Sequence, residues 1–96
     1  MPRYELSDRA RDDLTDIFEY IAADNEHSAL RTVMQFLDLC ARLQEFPKLG
    51  RSRDELQDGL CSFPQGNFIV FYRIRAGQVI VLRVLHAARD LNDLFS

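Results

Sequence analysis

Residues 67–86, NFIVFYRIRAGQVIVLRVLH, decide the fold of this chain. Two runs rich in aromatic and β-branched side chains flank Ala76-Gly77, and glycine supplies the positive φ that a tight hairpin turn needs. With 76–77 in the turn, Arg75 opposes Gln78. The pairs then continue as Ile74–Val79, Arg73–Ile80, Tyr72–Val81, Phe71–Leu82, Val70–Arg83, Ile69–Val84, Phe68–Leu85 and Asn67–His86. Opposed residues share a face. One face carries Ile69, Phe71, Ile80, Leu82 and Val84, and the other carries Phe68, Val70, Tyr72, Ile74, Val81 and Leu85. Both faces are apolar, whereas an antiparallel sheet commonly shows water a polar one. Each face therefore requires a cover.

Upstream, RYEL (3–6) alternates polar and apolar residues and predicts a short first strand. Ser7 followed by Asp8 is an N-cap with an acid in the first turn. Ala10, Leu14, Ile17, Phe18 and Ile21 recur at helical spacing, so the first helix should end near Ala23. DNEH (24–27) is turn chemistry, with Asn25 or Ser28 placed to cap a second helix. There Ala29, Val33, Phe36, Leu37, Cys40 and Leu43 form a stripe that Leu30, Met34 and Leu39 widen. A helix apolar on more than one side is expected to lie between the sheet and either the first helix or a partner. Pro47 ends it.

The loop PKLGRSRDE (47–55) is basic, and ELQDGLCSF (55–63) reads as a weaker strand with Leu56 and Leu60 on one face. In the tail, residues 87–96, Leu91, Leu94 and Phe95 suit one last helical turn. Helices are segregated from strands, so the class is α+β in one domain over 1–96. Its parts are an N-terminal strand, an antiparallel helical hairpin, a three-stranded antiparallel sheet and a short C-terminal tail. Two helices cover one sheet face. The other is expected to leave an exposed apolar patch for a protein partner, unless the tail and the first strand's flank hide it.

Ninety-six residues, 47% hydrophobic, suffice for a core without staples. No run of about 18 apolar residues is present, which excludes a membrane-spanning helix. MPRYELSDRA lacks the apolar centre of a secretion signal, so a cytoplasmic location is expected. Cys40 and Cys61 stand far apart without a CxxC motif or a histidine pair. They predict small apolar side chains rather than a metal site or a disulfide, and no cofactor is expected.

The net charge of −3 is the wrong sign for a dedicated nucleic-acid binder, and sequence-specific binding to nucleic acid is not expected. Residues 1–26 set Arg3, Arg9 and Arg11 against eight acidic side chains. The acidic face of the first helix (Asp12, Asp13, Asp16, Glu19) is either solvated or steers a basic partner segment. Eleven of the twelve basic residues are arginine, the side chain best suited to carboxylate or phosphate.

RVLHAARD (83–90) brings Arg83, His86 and Arg89 close in sequence, the kinds of group that bind phosphate and move protons. On an unbroken strand Arg83 and His86 point to opposite faces. Arg73 shares a face with His86 but lies on the order of 20 Å away. The strand therefore assembles no catalytic site from them, and Asp90 is a plausible partner for His86 or Arg89.

Together YELSDRARDDLTDIFEYIA, FPKLGRSRDEL, GLCSFPQGNFIVFYRI and RVLHAARD, in that order and spacing, resemble the ParE branch of the RelE/ParE superfamily of bacterial toxins. The resemblance implies a helical hairpin on an antiparallel sheet and a cognate antitoxin whose C-terminal segment wraps the toxin. It also implies DNA gyrase as the target, poisoned without chemistry by the toxin, so that replication is blocked. The antitoxin contacts are expected at Leu14, Ile17, Phe18, Ile69, Phe71, Leu82 and Val84, and the target contacts at Arg83, His86, Arg89 and Phe95. The RelE-like alternative, a ribosome-dependent mRNA endoribonuclease, would use Arg51, Arg73, Arg83 and His86. It lacks the Tyr or His that such enzymes carry in the tail. A toxin-fold binding domain without toxicity is the third alternative.

Overall fold

The structure, a computed structural model, describes residues 3–88. The chain runs β1 (Glu5–Leu6), α1 (Asp8–Ala22), α2 (Glu26–Glu45), a 3-10 turn (Pro47–Leu49), β2 (Arg51–Ser52), β3 (Cys61–Gln65), β4 (Phe68–Arg75) and β5 (Gln78–His86). The class is α+β, and both helices lie on one face of the sheet.

Local chemistry sets the helix bounds. The Ser7 hydroxyl accepts a hydrogen bond from the Ala10 amide, and the Asn25 side chain accepts one from the Ser28 amide. Both satisfy donors that a helix start otherwise leaves open. Residues 23–25 are all that separate the helices, so α1 and α2 fold back as an antiparallel hairpin. At the other end of α2 the chain leaves helical space at Phe46, immediately before Pro47.

The sheet has five strands in the order β1-β5-β4-β3-β2, where three were expected. β1 runs parallel to β5, pairing Glu5 with Ile80 and Leu6 with Val81, and the remaining pairs are antiparallel. The expected strand over 55–63 also begins late, at Cys61. Leu56 and Leu60 still point the same way, but from a loop closed on itself. The Arg53 amide donates to the Leu60 carbonyl, the Leu60 amide donates to the Gln57 carbonyl, and the Gly59 amide donates to Asp54.

The hairpin turn falls at Ala76 and Gly77, both at positive φ (50° and 78°), and pairing agrees with the sequence from Arg75–Gln78 to Tyr72–Val81. There the register shifts. Phe71 pairs with Arg83, Val70 with Val84, Ile69 with Leu85 and Phe68 with His86. Leu82 is the extra residue of a β-bulge, and every later residue of β5 changes its partner by one. Val84 therefore joins the helix-covered face, and Leu85 the face opposite.

Two cores result. Beneath the helices Ala10, Leu14, Ile17, Phe36, Leu39, Cys40 and Leu43 pack on Val70, Tyr72, Val79, Val81 and Val84. Phe36 meets Phe68 edge to face, with centroids 5.6 Å apart. Across the sheet Leu60, Phe71 and Leu85 are buried together, with Leu56, Ile69 and Leu82 packed around them. Burial of each large apolar side chain contributes about 1.5–3 kcal/mol. The 53–60 loop thus covers part of the second face, through Leu56 and Leu60, while Ile69, Ile80 and Leu82 stay half-buried there.

Tyr72 and Gln44 tie the layers together. The Tyr72 hydroxyl donates to the Pro47 carbonyl at 2.7 Å and accepts from the Gly50 amide at 3.1 Å. Only glycine fits at position 50, since a Cβ there would sit 2.3 Å from that hydroxyl. Gln44 donates to the Gly77 carbonyl and accepts from the Val79 amide, which fixes α2 to the hairpin turn.

Candidate partner-binding surface

Of the groups that RNA cleavage would need, Arg73 and His86 stand on opposite faces of the sheet. Arg83 is engaged with α1: its guanidinium donates to both Asp13 oxygens, at 2.8 and 3.0 Å, with the two side chains only 12% and 13% exposed. The same carboxylate accepts from the Val84 amide at 2.9 Å. Arg73 donates to the Asp58 carbonyl at 2.7 Å and to Gln57. It pairs with Ile80, two positions from the Phe71 of the second core. His86 lies on the opposite face, its ring 5.3 Å from Phe68 and its Nδ1 accepting from the Ala88 amide. The bulge has moved His86 away from the face of Arg73, where the sequence had put it. Arg51 is exposed on β2, at the far edge of the sheet. Among the described residues no group of His, Cys, Asp or Glu can hold a metal ion.

The side chains expected to contact an antitoxin divide likewise. Leu14, Ile17 and Val84 belong to the helix-side core, and Phe71 to the second core. These four serve the fold itself. Phe18, Ile69 and Leu82 keep part of their surface. The bulge also separates Val84 from Ile69, Phe71 and Leu82, which the sequence had put on one face. Of the target contacts, Arg83 and His86 are placed as above, whereas Arg89 and Phe95 lie outside the described residues. So do Asp90 and most of the expected tail turn.

Two adjoining clefts provide a continuous recess instead. One, of about 250 Å³, lies between α1 and β5 and is lined by Asp13, Asp16, Ile17, Tyr20, Ile21, Phe68 and Val84. The next, of about 260 Å³, shares Ile21 and Phe68 and continues to Thr32, Gln35 and Phe36 of α2. Each is smaller than the usual ligand pocket of about 300–1,000 Å³. Together they form a trough along α1 and α2. Its floor is apolar, Asp13 and Asp16 stand on one rim, and Tyr20 beside it is 76% exposed. The sequence signal for this trough was the alternation of Ile17, Tyr20 and Ile21 with acids on one helix. The part played by Asp13 had no such signal, because its partner lies 70 residues away.

Neither thiol offers chemistry. Burial pushes Cys40 up to about 11, and burial followed by the Asp54 charge raises Cys61. Both stay protonated at neutral pH and are poor nucleophiles.

A helical hairpin on one face of a mixed sheet, with a trough between α1, α2 and β5, defines a small α+β protein. The comparisons make the class specific. Residues 4–91 match the model of the ParE toxin of type II toxin–antitoxin systems, parDE. Toxin ParE1 of Mycobacterium tuberculosis is 30% identical over 95 residues, covering 94% of each chain. Toxin ParE1 of Caulobacter vibrioides is 31% identical over 94 residues, again 94% of each. Toxin ParE3 of the same organism is 40% identical over 50 residues, 52% of this chain and half of that one. Among solved structures, a chain of the chromosomal ParDE toxin–antitoxin system from P. aeruginosa superposes with a TM-score of 0.72 at 20% identity, covering 90% of this chain and 98% of that one. This chain belongs to the ParE toxin family of type II toxin–antitoxin systems.

Proposed function

We propose that this ParE toxin blocks replication in the cytoplasm by binding DNA gyrase, performs no chemistry of its own, and is held silent by a cognate antitoxin. The observation that carries the reading is the dispersal of the alternative catalytic set. Arg83 is clamped by Asp13, Arg73 is tied to the 53–60 loop, and His86 packs on Phe68, across the sheet from Arg73. A ribonuclease needs such groups within hydrogen-bond reach of one phosphate.

The trough between α1, β5 and α2 is the antitoxin's seat in this reading. Its apolar floor calls for aliphatic or aromatic side chains. Asp16 on its rim calls for a basic one, Asp13 being already taken by Arg83, and complementary charge of that kind speeds encounter. Family membership supports the partner, and the P. aeruginosa structure is of a ParDE toxin–antitoxin system.

The test is a plasmid supercoiling reaction with purified gyrase, into which the folded chain is titrated. Loss of supercoiling with accumulation of cleaved DNA is the expected result. Unimpaired supercoiling by folded protein that still arrests growth would overturn the reading and direct the search to mRNA cleavage.

A further inference from the structure

The sheet face turned away from the helices carries a recess of about 200 Å³ near the hairpin turn, lined by Arg73, Ile74, Arg75, Ile80 and Leu82. Alternation along β4 puts Arg73 and Arg75 on the same side as the buried Phe71. Ile80 pairs with Arg73 and shares that side, and Leu82 packs around the second core. The 53–60 loop leaves both of these aliphatic side chains half-buried.

The two arginines are set for an anion. Arg73 donates to the Asp58 carbonyl and to the Gln57 side-chain oxygen. Both acceptors are neutral, so the guanidinium is oriented while its charge stays uncompensated, and it keeps further N–H donors. Arg75 is exposed two residues on, about 7 Å along the strand. Neither forms a salt bridge among the described residues. Of the nearby acids, Glu55 is taken by Arg53 and Asp54 accepts from the Gly59 amide. Glu5 stands beyond Ile80, on β1.

The lining selects the kind of partner. The recess is smaller than the usual ligand pocket of about 300–1,000 Å³, which sets small molecules aside. Proteins hold single-stranded nucleic acid in a positive groove with aromatic side chains for base stacking. Here no aromatic side chain lines the recess, its apolar walls are aliphatic, and the chain carries a net charge of −3. An extended protein segment repeats its side chains on one side every second residue, the same spacing of about 7 Å that separates Arg73 from Arg75. We propose that this face binds an acidic, extended segment of a partner protein. Its carboxylates, at two alternate positions, meet Arg73 and Arg75, and aliphatic side chains cover Ile80 and Leu82. The site lies across the sheet from the trough and does not rest on gyrase being the target.

The probe is a fluorescein-labelled peptide, Glu-Thr-Glu-Thr-Leu-Thr-Leu, titrated with the full chain at physiological salt and followed by anisotropy. Saturable binding is expected, with NMR amide shifts of the full chain centred on 73–75 and 80–82. Arg75→Glu should weaken binding about tenfold or more. Arg31→Glu makes the same charge change at an exposed position on α2 and should leave binding unchanged. Circular dichroism verifies that both variants are folded. Five results would each overturn the proposal: no binding, equal binding of the peptide with Lys in place of Glu, shifts centred on the trough, tighter binding of single-stranded oligothymidine, or equal losses from the two substitutions.

Discussion

The helix-covered face of the sheet and the face opposite it are closed by different kinds of structure. On the first, two long helices lay Leu14, Ile17, Phe36 and Leu43 across the strands. Their backbone bonds are satisfied within the helices, whatever lies beneath. On the second, Leu56 and Leu60 arrive from a loop held by bonds among Arg53, Asp54, Leu56, Gln57, Gly59 and Leu60, and tied to the sheet through Arg73, which donates to the Asp58 carbonyl and to Gln57. A loop of that size holds its shape mainly because it stays seated. The second cover therefore opens at lower free energy than the first, as the less densely packed parts of a domain generally do.

Truncation on each side should make that difference visible. Phe36→Ala removes a side chain 1% exposed from the larger core and should cost about 3–5 kcal/mol in urea unfolding. Leu60→Ala on the opposite side should cost about 2–3 kcal/mol, and should speed amide exchange across 53–60 well before the helices exchange. Equal losses at the two sites, with exchange unchanged in the loop, would mean that the two covers are energetically alike. Asp13→Ala leaves the Arg83 guanidinium and the Val84 amide without their shared acceptor. The cost should be about 2–3 kcal/mol, seen as a lowered urea midpoint.

Tyr72→Phe acts on the tie between the sheet and the turn after α2. It removes the bond to the Pro47 carbonyl and strands the Gly50 amide, at a cost of about 1–2 kcal/mol in the same measurement.

The smallest effect lies in pH. Burial raises Cys40 from 9.0 to about 11, and the folded value therefore exceeds the unfolded one. The linked stability is whole below about pH 9 and is lost as the pH climbs towards 11. Burial first, and neighbouring charges after it, raise Tyr4 and Tyr72 in the same direction and steepen the loss. Urea midpoints on either side of pH 9 should fall with rising pH in the wild type, and less so in Cys40→Ala.

The legibility of this fold follows the range of its causes. Ser7, Asn25 and Pro47 act within four residues, and they set the helix bounds where the sequence predicted them. Ala76-Gly77 likewise fixed the hairpin turn. The bulge at Leu82 did not announce itself, since VIVLRVL alternates as well in one register as in the other. Only the joint demand for Val84 beneath the helices and Leu85 in the second core selects the shifted one. The parallel pairing of β1 with β5 and the long-range acceptor Asp13 were hidden for the same reason. Arg83 was recognisable as a special residue, but its occupation by Asp13 was not.

β5 is an edge strand beyond Val81, because β1 ends at Leu6. Such an edge invites intermolecular strand addition and, with it, aggregation. Here the invitation is declined by side chains: Ser7 donates to the Leu82 carbonyl, and Asp13 accepts from the Val84 amide. The first helix thus acts as a stopper on the open ladder, occupying the hydrogen-bonding sites that a foreign strand would use.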